Sequence, residues 1–212
     1  MENKPIVEKV AEQWKVVAAI LGVVLLAVGG VGLWNELGAK REREATNLLF
    51  EAQTAARKAV SEKKFEEAER AYQPLLEKFK GTRAAYEAEL QMGDLWMDAG
   101  NFEKANGHYQ SASSMTSDSF SRLLANYSLG VAKESEGKYS EAIASYSAAL
   151  DAQGSDFIRP EILMAQARCY EALKDVKRAI EIYKTVQEKY SSRAYYSGAA
   201  SAYEKQLSAG AQ

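Results

Sequence analysis

A triplet recurs four times along this chain, each copy starting 37 residues after the last. The copies are Phe65-Ala68-Tyr72, Phe102-Ala105-Tyr109, Tyr139-Ala142-Tyr146 and Val176-Ala179-Tyr183. Offsets of three and then four residues put all three members on one face of a helix. The Ala is small where a neighbouring helix must come close, and the Tyr fills the space one turn further on. A fixed period in the range of roughly 20–50 residues is the mark of a solenoid of stacked helix pairs.

A second helix precedes each triplet, and it carries its own marks. Ala56, Gly93, Gly130 and Ala167 each stand twelve residues before the Ala of their triplet, so a small residue recurs there too. A turn separates the two helices at Lys63-Lys64, Gly100-Asn101, Gly137-Lys138 and Lys174-Asp175. Gly in such a turn takes the left-handed conformation that ends a helix. The stretch Gly93-x-x-Trp96-x-x-x-Gly100-Asn101-Phe102-x-x-Ala105-x-x-x-Tyr109 resembles a tetratricopeptide repeat. The other copies match more loosely, and Lys133 stands where that family usually keeps an aromatic. The resemblance covers about residues 45–190 and implies an all-α solenoid of helical hairpins: four repeats and a C-terminal capping helix. It also implies a binding scaffold rather than an enzyme, for such repeats serve many partners.

The N-terminal part is of another kind. Residues 16–34, from Val16 to Trp34, contain no charged residue and no Asn, Gln, Ser or Thr. At about 1.5 Å per residue this run spans the hydrocarbon core of a bilayer. Trp14 and Trp34 bracket it as interfacial aromatics do. A cleaved leader has a shorter apolar run and a net-basic head, so the segment reads as an uncleaved anchor. Charge leaves its orientation open: Lys4, Lys9 and Lys15 precede the span, and Lys40, Arg41 and Arg43 follow it. Ala18, Gly22, Gly29 and Gly32 fall on one stripe, where a second membrane helix could pack closely.

The reading therefore divides the chain into a polar head (1–15), a transmembrane helix (16–34), a charged helical connection (35–44), the repeats (45–207) and a flexible tail (208–212). With no Pro and a single Gly between the span and the repeats, one helix is expected to run through the connection. Helix pairs are expected at 43–61 and 65–79, 83–99 and 102–116, 120–136 and 139–152, and 159–173 and 176–190. Ala52, Ala55, Ala56 and Ala59 form the packing face of the first helix, and Pro74 should kink or thin the second. The stretch Ser192 to Leu207 reads as the cap, with Tyr195, Tyr196, Ala199, Ala200 and Tyr203 turned inward.

No catalytic constellation emerges. His108 is the only histidine and Cys169 the only cysteine, so neither acid–base work nor a transition-metal site finds support, and no cofactor is implied. His108 reads as a residue on a polar helix face and Cys169 as a packed thiol. A formal net charge of −2 leaves no broad basic footprint for nucleic acid. What remains is a face for protein partners. The first helix of each pair should line it with Glu87, Leu90, Asp94 and Met97, then Leu124, Tyr127, Val131 and Glu134, then Glu161, Met164, Arg168 and Glu171. Apolar residues on such a face suit partner binding, Met above all.

A short head, one span and four repeats in 212 residues resemble the YfgM-type bacterial family, the ancillary subunits of the Sec translocon. That resemblance implies a single-pass inner-membrane protein with its C-terminal domain in the periplasm. It implies extended polypeptides, the translocon and periplasmic chaperones as partners. A structural scaffold of an envelope or cytoplasmic complex, without unfolded clients, is the alternative.

Overall fold

The computed structural model describes residues 6–210, which are helical with no strand among them. Residues 1–5 of the polar head and 211–212 of the tail lie outside the described residues. Helix α1 runs unbroken from Ile6 to Ser61, joining the apolar segment to the first repeat. Its most apolar 18-residue stretch has a mean hydropathy of 2.7, and none of that stretch is buried against the rest of the chain. This is long and apolar enough to cross a membrane.

Further along α1 the pattern changes. Ala45, Leu49, Ala52, Ala56 and Ala59, spaced by four and three residues, are buried against the next helices. Ala55, expected on the same face, is exposed, since it falls outside that spacing. The second helix of this pair departs from expectation more strongly. Pro74 does not bend one helix but divides it into α2 (Phe65–Arg70) and α3 (Gln73–Lys78). Pro74 has no N–H to offer the Arg70 carbonyl, and a Pro is favoured at the first turn of a new helix.

The remaining pairs are α4 (Arg83–Asp98) with α5 (Phe102–Met115), α6 (Ser119–Ser135) with α7 (Tyr139–Leu150), and α8 (Arg159–Ala172) with α9 (Val176–Lys189). Side chains cap several starts: Thr82 accepts from the Ala85 N–H, Asn101 from Lys104, Asp118 from Ser121 and Asp175 from Arg178. A short 3-10 turn, Ser155–Phe157, precedes α8, and Pro160 occupies the first turn of that helix. Helix α10 (Ala194–Gly210) packs on α9 and α8 as the cap. There Ala200 is fully buried, and Tyr203 stacks on Tyr183 at 5.5 Å between ring centroids. Tyr195, expected inward, is 79% exposed.

All four turns within pairs close in the same way. Lys63, Gly100, Gly137 and Lys174 have φ of 59°, 72°, 81° and 64°. The N–H of the next residue then reaches back to a carbonyl five residues earlier, as from Asn101 to Trp96 at 2.8 Å and from Asp175 to Tyr170 at 2.9 Å. This is the Schellman closure of a helix C-terminus, and two of the four copies make it with Lys in place of Gly.

The triplets form the core. Ala68, Ala105, Ala142 and Ala179 are fully buried, and Tyr72, Tyr109, Tyr146 and Tyr183 nearly so. The flat faces of Gly93 and Gly130 receive the rings of Tyr109 and Tyr146. Ala56 and Ala167 take the same place beside Tyr72 and Tyr183.

Candidate partner-binding face

The first helices of the pairs, α1, α4, α6 and α8, place the expected binding residues on consecutive elements. The triplet tyrosines determine what those residues can do. Each Tyr ring is buried, but its hydroxyl emerges beside the preceding helix and must find an acceptor there. Tyr109 donates to Asp94 at 2.6 Å, Tyr146 to Glu134 at 2.6 Å, and Tyr183 to Glu171. Tyr72 donates to Gln91 of the next pair at 3.0 Å. Burial first, and the adjoining carboxylate second, hold the Tyr109, Tyr146 and Tyr183 hydroxyls far above the ordinary tyrosine range. Sequence periodicity shows none of these pairs, because they join residues 12–19 positions apart through helix packing.

Adjacent pairs are tied along the same face. Arg168 of α8 makes two hydrogen bonds to Glu134 of α6, at 3.0 and 3.2 Å. Tyr127 donates to Glu161 at 2.7 Å, and Tyr196 of the cap reaches the same carboxylate at 3.3 Å. Glu87 is held by Arg83 on its own helix at 3.2 Å. Leu90 and Met97 are half-buried against Trp96 and its neighbours, and Tyr127 and Val131 against Tyr146. Leu124 is half-buried as well. Met164 is a correction: it is buried among Ala167, Ala179 and Tyr183 and packs the core instead of lining a face. The surface is thus a set of satisfied carboxylates separated by half-buried apolar side chains.

One concavity on this side was not foreseen. A cavity of about 280 Å³ lies between α1 and α4, with Ala56, Val60, Phe65 and Leu95 as its apolar wall and Arg57 and Asp98 at its rim. Asp94 borders it as well. Small-molecule sites usually measure about 300–1,000 Å³, so this one matches a side chain or two. Its α1 wall escaped the sequence reading, which began the face at the second pair.

The lone cysteine is packed as expected, whereas the lone histidine does more than expected. Cys169 is fully buried, and desolvation with the nearby Glu134 pushes its thiol up to about 12, which suppresses the thiolate. His108 is no mere polar-face residue. Its Nδ1 lies 2.8 Å from Glu89 and its Nε2 3.2 Å from Glu69, so it joins α5 to both α4 and α2. Lys104, one turn earlier, sits 3.5 Å from Glu69 and 3.6 Å over the Trp96 ring. Among the described residues no group of three His, Cys, Asp or Glu side chains is placed to hold a metal ion.

The repeated Gly–Tyr and Ala–Tyr packing and the common turn closure agree with a family model. The tetratricopeptide repeat-like domain matches residues 10–191. The chain belongs to that family. No curated protein sequence matches it. Among solved structures, the tetratricopeptide repeats here are similar to the crystal structure of MamA protein. The identity is 21% over 76% of this chain and 87% of the other, with a TM-score of 0.55. A Podosopora anserina protein of the kinesin light chain type, with nearly identical TPR-like repeats, superposes with a TM-score of 0.57. It is 16% identical over 79% of this chain and 92% of its own. MamA from residue 41 to its end, from Desulfovibrio magneticus RS-1, gives a TM-score of 0.53 at 14% identity, covering 76% of this chain and 93% of that one. At such identities the likeness concerns the fold. A tetratricopeptide fold of this kind supports a protein-interaction adaptor with protein partners.

Proposed function

We propose that this protein is a membrane-anchored adaptor that holds extended polypeptide segments along α1, α4, α6 and α8. Its place would be the bacterial inner membrane, with the repeats in the periplasm beside the Sec translocon. Residues 16–34 would be the span and 45–207 the binding domain. The observation that carries the reading is the face itself. It combines a side-chain-sized cavity with half-buried Leu90, Met97, Leu124, Tyr127 and Val131. Its carboxylates are already hydrogen-bonded, so an extended chain could lie across them without stranding a charge. The bacterial compartment and the translocon rest on the resemblance in layout to the YfgM-type family.

The test is photocrosslinking in living cells from Gln91 and Leu124, with the trapped chains identified. Adducts with many unfolded or emerging polypeptides, and with translocon subunits, are expected. Adducts restricted to one folded partner at fixed ratio would favour a structural scaffold instead. Protease access to the repeats in spheroplasts, but not in intact cells, is the expected outcome for orientation.

A further inference from the structure

The solenoid has two edges, and they differ in composition. The turns within pairs, at Lys63, Gly100, Gly137 and Lys174, make one edge; it exposes no aromatic ring among the described residues, though Leu173 is exposed beside Lys174. The connections between pairs, residues 79–82, 116–118, 151–158 and 190–193, make the other. Contacts chain this second edge together from one end to the other. Arg41 of α1 donates to the Lys80 carbonyl at 2.9 Å, and Glu42 accepts from the Arg83 and Ala84 N–H groups at 3.2 and 3.0 Å. Tyr86 donates to the Ser121 carbonyl at 2.7 Å, and the Gln153 N–H to Ser119 at 2.8 Å. Arg193 donates to the Phe157 carbonyl.

This edge also exposes aromatic rings. Phe120 and Phe157 occupy equivalent places 37 residues apart and pack against each other at 5.8 Å between centroids. They remain 44% and 51% exposed, and Tyr195 stands exposed beyond them on the cap. Beside Phe120 a hollow of about 500 Å³ is bordered by Thr82, Arg83, Ser117 and Ser121. Lys80, Arg83, Arg122, Arg159 and Arg193 lie along this edge with Asp118, Asp151 and Asp156, Arg83 being paired with Glu87 and Arg159 with Asp156. On α1, Lys40, Arg41 and Arg43 follow the apolar segment, interleaved with Glu36, Glu42 and Glu44.

The direction of α1 says what this edge faces. Its ties to α1 are at Arg41 and Glu42, the end of the repeat helix nearest the apolar segment, whereas the edge of turns within pairs begins beyond Ser61. From Trp34 to Glu42 a helix rises about 12 Å. The head-group layer beyond the hydrocarbon core takes up roughly half of that, and side chains reach across the rest.

We infer that the edge carrying Phe120, Phe157 and Tyr195 rests on the head groups of the membrane that α1 enters. The inference builds on the proposed membrane anchor. Aromatic rings favour this interfacial layer, and Lys and Arg favour an anionic lipid surface. The domain then stands with its connections between pairs on the bilayer and its turns within pairs away from it.

The test uses the full chain in vesicles of phosphatidylethanolamine and phosphatidylglycerol, with a fluorophore on one introduced cysteine at a time. Cys169 is fully buried, so it does not compete for the label. Ser117→Cys and Asp156→Cys report the aromatic edge, and Glu103→Cys and Ser140→Cys the other one. Leu25→Cys reports insertion against lipid carrying a nitroxide on its acyl chain. Head-group nitroxide should quench the labels at 117 and 156 several-fold more than those at 103 and 140. Phe120→Ser with Phe157→Ser should lower quenching at 156 and leave that at 25 unchanged. Equal quenching on both edges, or none at 117 and 156 while the label at 25 is quenched, would overturn the inference and spare the anchor. A label at 25 that escapes quenching would overturn the anchor itself, and the inference with it.

Discussion

A methyl group at Gly93 would come within 2.4 Å of Tyr109 Cε1, and one at Gly130 as close to the same atom of Tyr146. Ring and backbone are therefore in direct contact in the two middle repeats. In the outer repeats Ala56 and Ala167 are accommodated beside Tyr72 and Tyr183. Gly93→Ala should destabilise the fold by about 1–2 kcal/mol net, the overpacking cost of up to about 3 kcal/mol outweighing the roughly 1 kcal/mol that Ala gains over Gly in a helix. Ala167→Gly should also destabilise, by about 1 kcal/mol, for the opposite reason. Urea denaturation followed by circular dichroism measures both. A Gly93→Ala protein as stable as its parent would show that the ring is free to retreat.

The turns at Lys63 and Lys174 hold an L-residue in the left-handed region at φ of 59° and 64°. That conformation costs a side-chain-bearing residue about 1–2 kcal/mol relative to Gly, less what Gly loses in the unfolded chain. Lys63→Gly or Lys174→Gly should raise stability by about 0.5–1 kcal/mol, while Gly100→Lys should lower it by a similar amount. Thermal melts of the three variants decide the matter, and Gly variants that melt below the parent would contradict it.

Tyr72, Tyr86, Tyr109, Tyr127, Tyr146 and Tyr183 all have hydroxyls raised above 10.0, chiefly by burial; Tyr86 is pushed up to about 12. For an acid whose proton is held more firmly in the folded state, the unfolded chain ionises first. Stability is then fully present below the unfolded value near 10 and falls as pH rises beyond it. The protein should lose stability steeply above about pH 10. Tyr146→Phe should flatten that decline and cost about 1 kcal/mol at neutral pH. Melting temperature against pH reads both effects, and a slope unaltered by the substitution would deny Tyr146 its share.

His108 spans two carboxylates, and Glu89 on one side is buried. His108→Ala leaves Glu89 without this partner, whereas Glu69 keeps Lys104. A loss of about 1–3 kcal/mol follows from a buried group left unsatisfied. Glu89→Gln in the same background should recover part of it. Chemical denaturation of the single and double variants provides the check; purely additive losses would rule out coupling.

Among the described residues nothing comes within 4 Å of a methyl group placed at Gly22, Gly29 or Gly32, so their stripe is open to another helix. Replacing Gly22 and Gly29 by Leu keeps the segment apolar and should leave insertion intact. Co-purification of a membrane partner should fall, because association in lipid depends on close packing. Recovery of the same partners at the same yield would make the span an inert anchor.

The repeat was legible because its signal is local and occurs four times. Three residues within one helix fix each copy, and the spacing of copies fixes the stack. The unbroken α1 was legible too, from the absence of Pro and near-absence of Gly after the span. At Pro74 the sequence marks the position of the disturbance but not whether the helix bends there or divides into two. The candidate face was harder to read. Met164 and Leu90 occupy similar places in the repeat, yet Met164 is covered by α9 and its neighbours whereas Leu90 stays half-open. The bonds of His108 to Glu69 and Glu89 span 39 and 19 residues, and no periodicity within one helix announces them.

Helix α1 has no hinge between its apolar segment and the first repeat. A domain on a loose tether sweeps through a hemisphere; one carried on a continuous helix keeps its bearing. Each residue of an α-helix turns the axis by about 100°, so the register at which the apolar segment meets a neighbour sets the compass heading of everything beyond it. Inserting one alanine between Asn35 and Lys40 would swing the whole solenoid through that angle while leaving every contact inside it intact. Under the proposed function, binding by the repeats and gripping by the apolar segment become a single problem of alignment, in which the helix acts as a shaft rather than a rope.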